Sequence, residues 1–192
     1  MRMTLSSRSD PNSAVAPYPR LAVALHWLIA LLLFAELALG WWMLDVPKTP
    51  PGVRAGWFNL HKSIGLAILA AVLLRMVWRA SHPQAELAGL PAWQRTAAQV
   101  MHGWLYACML LMPATGLAGS MFTRYPIKVF GVVLPVWQRD WPAGKQLMSD
   151  VHDALAWLFV VLIALHVAAA LWHWWQRDAV AARMGMPPLP SA

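Results

Sequence analysis

Four stretches of the chain stay apolar for eighteen residues or more, and polar residues, prolines and charges collect in short blocks between them. A soluble core of this size needs no such run, whereas ~20 consecutive apolar residues carry a helix across the hydrocarbon of a bilayer. The pattern therefore predicts an all-α integral membrane four-helix bundle. Its helices run from about Leu21 to Leu44, Trp57 to Trp78, Thr96 to Met121 and Leu147 to Gln176. Prolines in the block Asp45 to Gly52 cannot continue the first helix, and Arg75, Arg79 and the His82-Pro83 pair close the second. The polar stretch Ser81 to Arg95 leads into the third, where Pro113 and Gly116 predict a kink that makes room for a bulky group.

The longest loop, Phe122 to about Gln146, mixes Arg124, Lys128, Arg139 and Lys145 with Tyr125, Trp137 and Trp141. Such aromatics settle at membrane interfaces, so the loop is expected to fold back over the mouth of the bundle. Ser149 or Asp150 is the expected cap of the fourth helix. A polar N-terminal tail (1–20) and a C-terminal tail (177–192), expected to be disordered beyond Gly185, flank one transmembrane domain over 21–176. The first apolar run exceeds a signal-peptide core and reaches Trp41 and Trp42 without a cleavage pattern, so it reads as a retained helix.

Composition agrees: 59% of residues are hydrophobic and 12% charged, which places the chain in the membrane class. The net charge of +7 is scattered over loops and helix ends, without the dense basic run of a nucleic-acid binder. An even number of spans puts both termini on one side. Lys and Arg then number eight on the terminal side and seven on the other, too even to orient the bundle. Arg20, Arg75, Arg79 and Arg177 lie close to helix ends and favour cytoplasmic termini. The single cysteine, Cys108, excludes a disulfide framework, a C-x-x-C-H haem attachment and a cysteine metal cluster.

Six of the seven histidines fall within or at the ends of the predicted spans; only His82 lies in a loop. Ionisable residues are rare in spans and usually functional there. One intramembrane histidine reads most simply as a hydrogen-bonded interior residue, but six together point to a cofactor held without covalent attachment. Six-coordinate haem b takes two neutral imidazoles from different helices at one depth. On the side away from the termini, the candidates are His61 and His152. On the terminal side His26, His102, His166 and His173 compete. His152 and His166 are fourteen residues apart, so they share a helix face ~21 Å apart along the axis, which suits two stacked cofactors. His26 and His166 lie a turn or more inside the boundary, while His173 lies nearly at the surface, better placed for something beside the haem. Depth suits His102 too, although a packing or hydrogen-bonding role is the simpler expectation.

Gly65, one turn from His61, is small enough to let a flat ring approach, or simply serves helix contact. Arg20, Arg75 and Arg79 on one side, and Lys62 and Arg124 on the other, are candidate partners for haem propionates, with interfacial snorkelling as the plain alternative. Glu36, a carboxyl within the first span, reads either as a proton relay or as a residue facing the interface.

The segments Ala24-Leu-His26-Trp-Leu, Asn59-Leu-His61-Lys-Ser-Ile-Gly, Val151-His152-Asp and Ala164-Leu-His166-Val-Ala-Ala-Ala-Leu-Trp-His173 occur in this order. Together they resemble the bacterial cytochrome b561 family, whose characterised members include superoxide oxidase, and the likeness runs from Pro19 to Gln176. It implies a di-haem b quinone oxidoreductase of the bacterial inner membrane. His26 and His166 would ligate the inner haem iron, His61 and His152 the outer one, and His173 would belong to the quinone site. It further implies that superoxide gives its electron at a basic periplasmic face and that ubiquinone receives electrons. Lys62, Arg124 and Lys128, with Arg139 and Lys145, would supply the attracting field. Val129 to Lys145 has no firm counterpart in the family pattern. Two other readings predict different partners: a haem b anchor subunit bound to a hydrogenase or other periplasmic redox protein, and a transporter whose histidines line a polar path.

Overall fold

The computed structural model describes residues 19–83, 91–135 and 137–176. The expectations for the terminal tails, for Arg177 and for the middle of the Ser81 to Arg95 stretch fall outside these residues. Four helices carry the fold: α1 (Arg20–Asp45), α2 (Val53–Ser81), α3 (Ala92–Met121) and α4 (Pro142–Trp175). At 1.5 Å per residue they are about 39 to 51 Å long, so each outruns a ~30 Å hydrocarbon layer. All four are apolar enough to cross a membrane. Large apolar side chains such as Leu31, Phe34, Leu74, Val77, Trp157 and Val161 face outward, as lipid contact requires of a bundle with polar backbone satisfied inside.

Three helices begin four or five residues before the apolar pattern starts. Turn residues, not hydrophobicity, set these ends: Gly52 in a left-handed conformation precedes α2, Pro91 precedes α3, and Pro142 occupies the first turn of α4. Proline suits that position because its missing N–H has no partner there anyway. The expected cap at Ser149 or Asp150 is therefore overturned. Both residues lie inside α4, and Asp150 accepts a hydrogen bond from Gln146 one turn earlier (2.7 Å).

Close backbone packing joins α1 to α2, α2 to α3 and α3 to α4. No comparable packing joins α4 to α1 or α2 among the described residues. Ring contacts bridge the gap there: His26 to His166, His61 to His152, and Trp41 to Trp157. The buried core lies at mid-depth. Ile29, Ile68 and Val72 form one cluster and Leu105, Cys108 and Phe159 another, and Leu33 and Met109 touch both. On α4 the buried Phe159 falls midway between His152 and His166.

The α3–α4 loop folds back as expected and adds one element, a hairpin of β1 (Lys128–Val129) and β2 (Val132–Val133). Phe130 and Gly131 both take positive φ (47° and 84°), the turn that matches strand twist. A bulky residue rarely adopts that conformation. Here it is held by the Phe130 N–H, which donates to Ser63 Oγ on α2 (2.8 Å), and by Ile127, which is fully buried. Ser63 in turn donates to the Asn59 carbonyl, so a buried hydroxyl is satisfied in both directions.

Candidate cofactor site

Two pairs of histidines face each other across the gap between α4 and the α1–α2 pair. At the hairpin end His61 of α2 meets His152 of α4 with ring centroids 6.2 Å apart and planes turned by 78°. At the terminal end His26 of α1 meets His166 of α4, also at 6.2 Å, with planes turned by 68°. A metal-bound imidazole nitrogen lies ~2.0–2.1 Å from the metal and about 1.1 Å from its ring centre, so two rings opposed on one metal stand about 6.3 Å apart. Both pairs have that separation. Because α4 is unbroken from residue 142 to 175, the fourteen-residue offset between its two histidines is a real displacement along one axis.

The hairpin-end pair borders a cavity of about 70 Å³, partly open to the surroundings. Leu33, Glu36, Lys62, Met109, Pro113, Gly116, Ile127 and Phe159 line it with the two histidines. Two glycines make the approach possible. A Cβ on Gly40 would stand 3.3 Å from the His61 ring, and one on Gly116 would stand 3.3 Å from the His152 ring. Each helix thus gives its neighbour's imidazole the space of a missing methyl. The sequence points to Gly116 only as a kink signal and to Gly65 as the residue facing a ring. In the structure Gly65 also lines the cavity, where a Cβ would meet Glu36 at 3.2 Å, and Gly116 lies against the His152 ring within a helix that runs on through Pro113.

The outward nitrogen of each ring at this end has a polar neighbour. His152 Nδ1 lies 3.1 Å from both Thr115 Oγ1 and the Met112 carbonyl. His61 Nδ1 lies 3.0 Å from Glu36 Oε1, although that contact is not aligned as a hydrogen bond, and Glu36 Oε2 is likewise buried without a partner. The two contacts leave Nε2 of each ring as the nitrogen available to a metal. A largely buried carboxyl beside a largely buried imidazole, with Nδ1 facing it and Nε2 free, is a donor set that fits haem iron.

At the terminal end a third histidine joins the pair: His102 stands 5.5 Å from His166. Arg75 reaches inward from α2, donating to the Ala22 carbonyl (2.6 Å) and the Tyr106 hydroxyl (3.2 Å), and so ties α1 to α3 beside the histidines. His173 lies in the last turn of α4, half-buried, seven residues beyond His166. His82 caps α2, with its ring stacked on Trp78 at 3.9 Å, apart from both pairs.

The basic residues divide. Lys62, next to His61, borders the hairpin-end cavity. Lys128 stands exposed on β1. Arg124 is exposed and ion-paired with Asp140, which offsets its charge. A shallow hollow lined by Arg124, Tyr125, Asp140 and Lys145 adjoins them.

Residues 17–186 match the family described as prokaryotic cytochrome b561. Cytochrome b561 homolog 2 of Escherichia coli is 33% identical over 165 residues, covering 81% of this chain and 84% of that protein. Cytochrome b561 homolog 1 of the same organism is 25% identical over 172 residues, covering 87% and 96%. Cytochrome b562 of Cereibacter sphaeroides is 28% identical over 177 residues, covering 88% and 96%.

Proposed function

The chain belongs to the prokaryotic cytochrome b561 family of membrane haem b electron-transfer proteins, and from that premise we propose that it binds two haem b groups and passes electrons from superoxide to ubiquinone. The observation that carries this reading is the repeated separation of 6.2 Å in two histidine pairs at opposite ends of α4. His61 and His152 hold one iron; His26 and His166 hold the other. Haem iron, when bound, accepts and releases one electron at a time.

The surrounding residues divide the work. Gly40 and Gly116 leave room for the imidazoles of the hairpin-end site. The apolar clusters between the pairs keep water out of the middle of the bundle. Lys62 beside His61 and Lys128 on the hairpin give the mouth a positive field, which raises the local concentration of a small anion. The hairpin end is periplasmic and both termini are cytoplasmic, in the bacterial inner membrane. His173, near the terminal surface, borders the quinone. Two superoxide anions, one ubiquinone and two protons balance to two dioxygen molecules and one ubiquinol.

The test uses the detergent-purified chain with enzymatically generated superoxide and a soluble ubiquinone analogue. The expected result is superoxide-dependent quinol formation without another protein. Absence of quinol formation, in a chain that holds its haems and reduces quinone only when a periplasmic protein partner is supplied, would favour the anchor-subunit reading instead.

A further inference from the structure

Glu36 is the feature of the hairpin-end site that ligation alone does not require. It is a carboxylate inside a membrane span, its side chain 12% exposed, and placing a charge there is costly without a compensating role. Two neighbours on α2 explain its position. Oε1 stands 3.0 Å from His61 Nδ1, and Gly65 of α2 leaves the opening through which the carboxylate reaches that ring. A side chain at residue 65 would meet Oε1 at 3.2 Å.

We infer that Glu36 is a positioning residue for His61, taking its Nδ1 proton in a hydrogen bond so that Nε2 is held toward the iron and the ferric state of that site is favoured. The inference rests on the proposal that His61 and His152 bind haem. An imidazole that gives Nε2 to a metal must carry its proton on Nδ1, and that proton needs an acceptor in a buried site. Glu36 supplies an anionic one. The contact is already at hydrogen-bonding distance. His152 differs, because its Nδ1 has only neutral acceptors, the Met112 carbonyl and the Thr115 hydroxyl.

A negative charge bonded to one axial ligand makes that ligand a stronger electron donor and stabilises the more positive iron. Both effects lower the reduction potential. At the other pair the nearby charge has the opposite sign: Arg75 binds the Ala22 carbonyl, one turn before His26. Glu36 draws the potential of its own site down, against the opposing charge of Lys62 on the same cavity, and Arg75 draws the other up, so the Glu36 site is expected to be the lower. Electrons entering at the hairpin end run downhill toward the Arg75 end, which is the direction that superoxide oxidation needs.

The experiment is an optical redox titration of the purified chain, with haem counted per polypeptide, for the wild-type protein and for the H61A, E36Q, E36D and T115A variants. H61A identifies which component of the titration belongs to the His61 site. In E36Q that component is expected to shift upward by a tenfold or greater change in the ferric-to-ferrous ratio, ~59 mV for one electron, while the other component stays in place. E36D keeps the charge and is expected to restore most of the low potential; T115A is expected to shift it far less than E36Q does. Loss of the His61-site haem alone in E36Q, with recovery in E36D, would equally support the inference. An unchanged titration in E36Q, with H61A still lacking one haem, would overturn the inference and leave the haem assignment standing. Loss of both haems in E36Q would overturn it as well, by making Glu36 a residue of the whole bundle. Two haems retained in H61A would overturn the ligand assignment itself.

Discussion

A single imidazole decides little, but its surroundings decide which nitrogen it offers. At the hairpin end both histidines keep Nδ1 close to a polar atom on a neighbouring helix, and both point at space that a glycine leaves open. Substituting Gly116 with valine would push branched carbon into the His152 ring. G116V is expected to lose the haem of that site and keep the other, as read from haem per polypeptide in the purified protein. His61→Ala and His152→Ala are each expected to give the same half loss, because either change would remove one of the two imidazoles that the proposed site needs. Retention of two haems in either protein would end the pairing of these residues.

Which histidines face each other at the hairpin end was legible in the sequence, because depth within the span selects His61 and His152 from seven. What was not legible is lateral contact. Glu36 is visible as an intramembrane carboxyl, but its partner sits on another helix, and linear order does not give the rotation of one helix against another. The approach of Gly65 to Glu36 was hidden for the same reason: Gly65 lies one turn from His61 along α2 and lines the cavity, and the carboxyl it makes room for comes from α1.

Helix number and centres follow from apolar run length, and the apolar pattern placed all four spans. Their first turns escaped it. A helix that leaves the hydrocarbon stops being apolar before it stops being a helix, so Pro91 and Pro142 mark the starts of α3 and α4 better than hydropathy does. The hairpin in the α3–α4 loop was hidden because its strands have two residues each, far too short for alternation to show. It is fastened by one tertiary hydrogen bond, from Phe130 N–H to Ser63 Oγ. Ser63→Ala leaves a backbone donor unpaired, at a cost of about 1–3 kcal/mol. Faster proteolytic cutting within the loop of S63A, with haem content unchanged, is the expected readout.

The hairpin also carries part of the basic surface, so its charge can be tested apart from its fold. Replacing Lys62 and Lys128 with glutamine is expected to slow reaction with superoxide several-fold at low ionic strength and far less at high salt, where screening already removes the field. Replacing Arg124 should matter less, since Asp140 pairs with it on an exposed surface. Equal rates at low salt for the wild-type and the double variant would argue against steering by these lysines.

At the scale of the whole molecule, one continuous helix sets the arrangement. α4 supplies a histidine to each pair, α1 and α2 supply the partners, and α3 closes the remaining side with Met112, Thr115 and Gly116 against His152. The mid-depth clusters lie between the two histidine pairs, each packing side chains from three helices and together drawing on all four. Family membership agrees with a haem b bundle, and the geometry adds two histidine pairs whose ring separation suits two ligands on one metal. The most direct measurement is a reduced-minus-oxidised optical spectrum of the purified chain, with haem determined per polypeptide. The account predicts a b-type spectrum and two haems per chain; one haem, or none, would contradict it.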